Sequence, residues 1–223
     1  TNELGYRNLM ELSTKFFLDD TYRYEGMSIR EIDKFSDGLI CLSGGDESPI
    51  NNLLKDNKIK EAENLLLHFK RTFGDRFYLE MNRHPLGEDY VQKLNIEDNI
   101  FDLADKQKLP LVATNDVYFL EKELYQPHDA LLCIAEGSFV DQQQERRSLS
   151  VDHFFKSENE MRDLFNDIPE AIENTVEIAM RCSFRPRSTD AMLPRFSPNA
   201  DADLAQEAKK GLQIRFKELS EVD

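Results

Sequence analysis

Three short apolar runs in this chain each end in polar, chemistry-bearing residues. Gly44-Gly45-Asp46 follows the run 38–43, Glu80 and His84 sit within and after Phe77-Tyr78-Leu79-Glu80-Met81, and Thr114-Asn115-Asp116 follows Leu111-Val112-Ala113. Carboxylate and imidazole groups that meet at strand ends form the donor set of a hydrolytic metal site, where an ion is held while its bound water loses a proton. Glu80, His84 and Asp116 are therefore the candidate ligands, with Asn115 and His128 as candidate outer supports.

Each of these residues also has an ordinary structural job open to it. A carboxylate inside an apolar strand needs a cation or several donors, and Arg83 could satisfy Glu80 without metal. His84 precedes Pro85, which favours an extended or turn backbone where a lone histidine serves as a hydrogen-bonding group. Asp116 could hold the following turn through its side chain. His128, beside Asp129 at the entrance of a helix, fits a helix-terminal hydrogen bond, while His68 and His153 read as surface or packing residues. Nucleophilic catalysis finds no support, because there is no G-x-S-x-G elbow and no histidine spaced to serve a cysteine or serine. Gly44-Gly45 also lacks the further glycine and the Lys-Ser/Thr pair of a phosphate loop.

The elements that must position these residues follow from periodicity. Tyr6, Leu9, Met10, Leu12 and Phe16-Phe17 recur at helical spacing, and Ser28-x-x-Glu31 reads as a capping box opening a short helix. Ala62, Leu65, Leu66 and Phe69 define a helix over Ile59–Phe73, stopped by Gly74. A helix from Tyr90 to Lys106 would turn Val91, Leu94, Ile100, Phe101 and Leu103 inward. Strand, helix, strand, helix, strand in this order implies parallel strands joined by right-handed crossovers, with the three polar ends converging. Further helices are expected over Leu124–Glu136, from Ser157-x-x-Glu160 to Phe165, over Pro169–Arg181 and over Leu204–Leu219. Gly137–Ser150 reads as an exposed loop, and Arg185–Asp203, with three prolines, as an extended connector.

Composition bounds the rest. With 223 residues, 40% of them hydrophobic, the chain can build one sizeable core. A net charge of −15 repels a phosphate backbone and argues against autonomous nucleic-acid binding. Cys41, Cys133 and Cys182 are far apart with no C-x-x-C, as expected of reduced cysteines in a cytoplasmic protein. No window approaches the roughly 18 apolar residues of a membrane span. The chain starts at Thr1 with no leader, so it is expected to be cut from a longer protein.

Taken together, ELGYRNLMEL (3–12), GLICLSGG (38–45), FYLEMNRH (77–84), LPLVATNDVYFL (109–120), HDALLCI (128–134), SENEMRDLFNDIPEAIENTVEIAMRC (157–182) and MLPRF (192–196) resemble, in order, the PHP (polymerase and histidinol phosphatase) domain of bacterial replicative DNA polymerase III alpha subunits. The resemblance implies an α/β fold, a distorted (β/α) barrel of parallel strands. It would be incomplete here, with a partial PHP domain over 1–190 and a helical C-terminal connector over 191–223. Members that keep the site bind two or three metals, zinc or manganese, through an N-terminal H-x-H, a cysteine after L-S-G, an E-x-x-x-H pair and a D-x-H pair. Glu80 and His84 match E-x-x-x-H and Asp116 matches the first member of D-x-H. Gly45 stands at the cysteine position, Tyr118 stands at the histidine position, and the H-x-H strand is not in the chain. A degenerate site with no cofactor is the expectation, with zinc or manganese at Glu80, His84 and Asp116 the lesser one.

By the same resemblance the parent is a magnesium-dependent DNA polymerase. The PHP region would be a structural and docking module for the proofreading exonuclease subunit and other replisome subunits, with DNA reached only through the rest of the polymerase. Exposed strand edges make a homodimer of the chain conceivable. The alternative is a metal-dependent phosphoesterase acting on DNA ends or pyrophosphate.

Overall fold

A computed structural model describes residues 1–85, 90–142, 149–188 and 196–220, which form two compact units, Thr1–Arg185 and Pro186–Asp223. The first begins with α1 (Glu3–Leu18), started by Asn2, whose side chain accepts from the Gly5 N–H. The helix forms where its spacing predicts, yet Tyr6, Leu9, Met10, Phe16 and Phe17 remain 37–67% exposed. Helices α2 (Asp20–Glu25) and α3 (Ile29–Lys34) follow. Ser28 caps α3 as expected, accepting from the Glu31 N–H, but the Glu31 carboxylate takes Lys15 Nζ at 2.7 Å instead of turning back, so the box is half made.

Strand β1 (Cys41–Leu42) is shorter than the apolar run. Gly38 has φ +72°, the Leu39 N–H turns back to the Ser36 carbonyl and the Leu39 carbonyl is taken by Arg76, so pairing begins only at Cys41, with Cys41 and Leu42 opposite Phe77 and Tyr78. Helix α4 (Pro49–Lys55) is capped by Ser48 with proline in its first turn, and α5 (Ile59–Phe73) stops at Gly74, φ +60°. Strand β2 (Phe77–Asn82), helix α6 (Tyr90–Gln107) and strand β3 (Leu111–Thr114) complete the expected alternation. Then come α7 (Tyr125–Glu136), α8 (Glu158–Leu164) with the full Ser157/Glu160 capping box, and α9 (Pro169–Arg181). The second unit contains α10 (Ala200–Ser220).

The sheet is parallel in the order β1-β2-β3 and does not close on itself among the described residues. It is the incomplete α/β architecture that the strand–helix alternation demands, since parallel neighbours need crossovers. Phe77, Leu79 and Met81 of β2 and Leu111 and Ala113 of β3 pack with Ala62 and Leu66 of α5, Ile100 and Leu103 of α6, and Phe165, Ile168 and Ala171. The expected inward side chains of Val91 and Leu94, the 190/191 boundary, the loop segment 143–148 and most of MLPRF lie outside the described residues.

Candidate functional site

The register between β2 and β3 decides the chemistry of the strand ends. Glu80 stands opposite Val112 and Asn82 opposite Thr114. With a period of two, Glu80 and Asn82 share one side of β2. Thr114 Oγ1 donates to Glu80 Oε1 at 2.7 Å, and Asn82 Nδ2 donates to Thr114 Oγ1 at 2.9 Å. The Glu80 N–H donates to Ser43 Oγ at 2.9 Å, so the polar ends of all three strands are tied together. Glu80 is thus satisfied by Thr114 and not by Arg83, contrary to the expectation from sequence. Arg83 is 8% exposed and turns the other way, to Glu97, to Asp167 at 2.6 and 2.8 Å and to the Leu164 carbonyl at 2.8 Å, over the face of Phe165.

Gly45 lies against the same network. Its carbonyl accepts from the Ser48 N–H at 2.9 Å and from Asn51 Nδ2 at 3.0 Å. A Cβ built at Gly45 would stand 2.5 Å from Asn82 Oδ1 and 3.2 Å from Asn82 Cγ, so the space into which a residue-45 side chain would project already belongs to Asn82. Asn82 Oδ1 is itself buried and accepts no hydrogen bond among the described atoms. The cavity between Asp46, Lys55, Glu80, Asn82 and Glu97 leaves about 20 Å³, close to the room one water needs.

The histidines gather elsewhere. His84, 1% exposed, stacks on His153 with ring centroids 4.0 Å apart and planes 5° apart. His153 is itself 8% exposed, and its Nδ1 accepts from the Ser150 N–H at 3.2 Å. Tyr118 meets His153 edge-on at 5.8 Å and His128 at 5.9 Å. Asn115 donates to the Phe154 carbonyl at 2.7 Å and accepts from Lys156 Nζ at 3.1 Å, so it anchors the 154–156 segment. Burial pushes the Lys156 ammonium below the ordinary lysine value. Asp116 is exposed. The three strand ends meet as expected, at Ser43, Gly45, Glu80 and Thr114, but the three candidate ligands do not: Glu80 meets Thr114, His84 stacks on His153, and Asp116 is exposed.

These residues do not fit the two- or three-metal centre that the fold implies. A metal pair needs donors around two ions roughly 3.5–4 Å apart. The described residues contain no group of three His, Cys, Asp or Glu placed to hold an ion. Glu80 is committed to Thr114, and the residue-45 position is filled by Asn82. Cys41, on β1, is pushed up to about 11 by burial, so in the surroundings described it is a thiol at neutral pH and not an activated nucleophile.

The sequence profile of the PHP domain matches residues 1–84, the part that carries β1, β2, Gly45, Glu80 and His84. DNA polymerase III subunit alpha of Caulobacter vibrioides is 42% identical over 225 residues, covering 98% of this chain and 19% of the relative. The chain belongs to the DNA polymerase III alpha-subunit family, in its PHP region. The subunit of Rickettsia bellii is 39% identical, covering 96% of the chain and 18% of the relative, and that of Pseudomonas aeruginosa 36% identical, covering 98% and 19%. The chain therefore spans about a fifth of the length of these alpha subunits. Within that PHP region, Asn82 was not singled out from the sequence, Thr114 was named only as part of a strand end, and His153 was read as a surface or packing residue. The i, i+2 spacing of Glu80 and Asn82 was a usable signal for the first, whereas His84 and His153 are brought together only by the fold.

Replacing Thr114 with valine removes the donor to Glu80 and the acceptor for Asn82 while keeping the shape. A loss of about 1–3 kcal/mol in chemical denaturation is expected, because two partly buried polar groups lose their partner.

Proposed function

We propose that the chain serves as a structural and protein-docking module of a replicative DNA polymerase alpha subunit. The observation that carries this reading is the Asn82–Thr114–Glu80 hydrogen-bond chain at the strand ends, found in a sequence 42% identical to a DNA polymerase III alpha subunit. Glu80 there holds strands together instead of holding a reactive ion. The parent protein is then a DNA-directed DNA polymerase, a nucleotidyltransferase whose magnesium-binding carboxylates lie outside this chain. Its proofreading exonuclease subunit and other replisome subunits are the partners, its compartment is the cytoplasm, and DNA is held by other parts of the polymerase. The net charge of −15 supports that division, since it favours a protein partner over a phosphate backbone. No helix among the described residues is long and apolar enough to cross a membrane.

The test uses the full alpha subunit carrying this chain, mixed with the exonuclease subunit and separated by size. A stable complex is expected. After loading with zinc or manganese, hydrolysis of pyrophosphate and of 3′ primer ends is expected to be the same in Glu80→Gln as in the parent. Metal-dependent hydrolysis abolished by that substitution would favour the phosphoesterase reading instead.

A further inference from the structure

Two adjacent glycines follow β1, and only one of them is required by its own backbone. Gly44 has φ +87°, a left-handed conformation that a side chain would strain, whereas the φ of Gly45 lies outside that region. Glycine at 45 therefore has another cause, and the space beside it supplies one. The three heavy atoms nearest a Cβ built on Gly45 all belong to the Asn82 side chain, with Oδ1 at 2.5 Å, Cγ at 3.2 Å and Nδ2 at 3.6 Å. The Gly45 backbone is not free to back away. Its carbonyl is held by the Ser48 N–H and by Asn51 Nδ2, and Asn51 is itself 7% exposed at the start of α4.

Asn82 is just as constrained. Its Nδ2 donates to Thr114 Oγ1, Thr114 donates to Glu80, and the Glu80 N–H donates to Ser43. Its Oδ1, the atom nearest a Cβ at position 45, is buried. Turning the amide away from residue 45 would break the bond to Thr114 and unseat the chain behind it. An ion held between strands contributes its binding free energy to folding. The Asn82 amide joins the same places by hydrogen bonding and packing: the loop after β1, the end of β2 and the end of β3.

We propose that Asn82 takes the place of the ions that the PHP fold implies, and that Gly45 and Asn82 form an interlocked pair. Residue 45 lacks a side chain because the amide fills that space, and the strand ends are joined by the amide instead of by metal. A side chain returned to position 45, a thiol included, must displace the amide first. This deepens the structural role proposed above for Glu80 and rests on it.

The experiment reads peptide-resolved hydrogen exchange over 77–82 and 111–114 in the full alpha subunit carrying this chain. Gly45→Ala is expected to lower protection there about 5- to 10-fold, the loss of roughly one hydrogen bond. Asn82→Ala lowers protection by itself, and adding Gly45→Ala to it is expected to change protection less than about 2-fold further. Gly44→Ala is the control, because its cost is conformational and is expected to be the same in both backgrounds. Thr114→Val provides a second background should Asn82→Ala loosen the region too far to read, since Asn82 has no acceptor to lose there. Asn82→Ala is also measured with a chelator and with excess zinc or manganese, and is expected to be equally unprotected in both. An equal cost of Gly45→Ala with and without Asn82 overturns the interlock. Protection restored to Asn82→Ala by metal overturns the replacement, because Asn82 would then be only a plug in a working site. Neither result touches the docking role, which stands or falls on complex formation with the exonuclease subunit.

Discussion

Arg83→Ala is expected to lower the unfolding free energy by about 3–5 kcal/mol, the usual result of removing one member of a buried ion pair. For a chain of this size that corresponds to a fall in Tm of roughly 6–20 °C. The guanidinium is the hub at which β2, α6 and the α8–α9 junction meet. Asp167 and Glu97 receive its fork, the Leu164 carbonyl takes a further N–H, and Phe165 lies 4.8 Å beneath it. Alanine would strand Glu97, whose side chain is 15% exposed, against the core with no cation. Lysine restores the charge but not the planar fork, so Arg83→Lys is expected to recover only part of the loss.

The same pair gives a pH signature. The Arg83 hydrogen bond holds the Asp167 carboxyl below the ordinary carboxylate value. Because the folded value is the lower one, the pair's contribution is present above the unfolded value, about pH 4, and is lost as pH falls through the folded value. Asp167 is half exposed, so this contribution is modest and its loss on acidification serves as a marker: it should vanish in Arg83→Ala. Unaltered stability and an unaltered acid limb in the variant would remove Arg83 from this role.

Gly5→Ala offers the second large effect, with a sign opposite to that of helix propensity. Alanine inside a helix ordinarily stabilises by roughly 0.5–1 kcal/mol relative to glycine. Here an added Cβ would stand 2.1 Å from the Gly38 carbonyl oxygen and 2.5 Å from its carbon. Both are backbone atoms with nowhere to go. The Gly38 carbonyl already takes the Thr1 amino group at 2.6 Å, and Arg76 holds the flanking Ser36 and Leu39 carbonyls at 2.8 and 2.5 Å. The first turn of α1 must therefore lift away, at a cost of about 3 kcal/mol. Urea denaturation measures the loss, and hydrogen exchange should show the amides of α1 losing protection before those of β2. A stabilised Gly5→Ala would mean that α1 does not sit on Gly38.

These residues show what a single sequence carries and what it does not. Helix limits were legible where the signal is local: Gly74 ends α5, Pro169 opens α9, and Ser157 with Glu160 closes its own box. Ser28 with Glu31 has the same local pattern, yet Lys15, 16 residues earlier, takes the carboxylate, a competition that only the tertiary fold creates. Glu80 was recognisable as an acid in need of a partner, but its partner depends on the β2–β3 register, which brings Thr114 and not Asp116 to it. Periodicity identified the apolar stripe of α1 without saying that it stays exposed, since spacing defines a face and not what lies against it. The departures at Gly45 and Tyr118 were visible in the sequence. What was not visible is that Asn82 fills the space beside Gly45 and that Tyr118 borders a stacked pair of histidines.

The central claim, that Glu80 is a structural acceptor and not a metal ligand, is tested most directly by thermal denaturation of the full alpha subunit and its Glu80→Gln variant, each with a chelator and with excess zinc or manganese. A resident ion at 100 times its Kd would stabilise the folded state by about 2.7 kcal/mol. The expected result is that the parent melts at the same temperature with chelator and with metal, and that Glu80→Gln melts lower by the same amount in both. A rise of several degrees on adding metal, present in the parent and absent in Glu80→Gln, would contradict it.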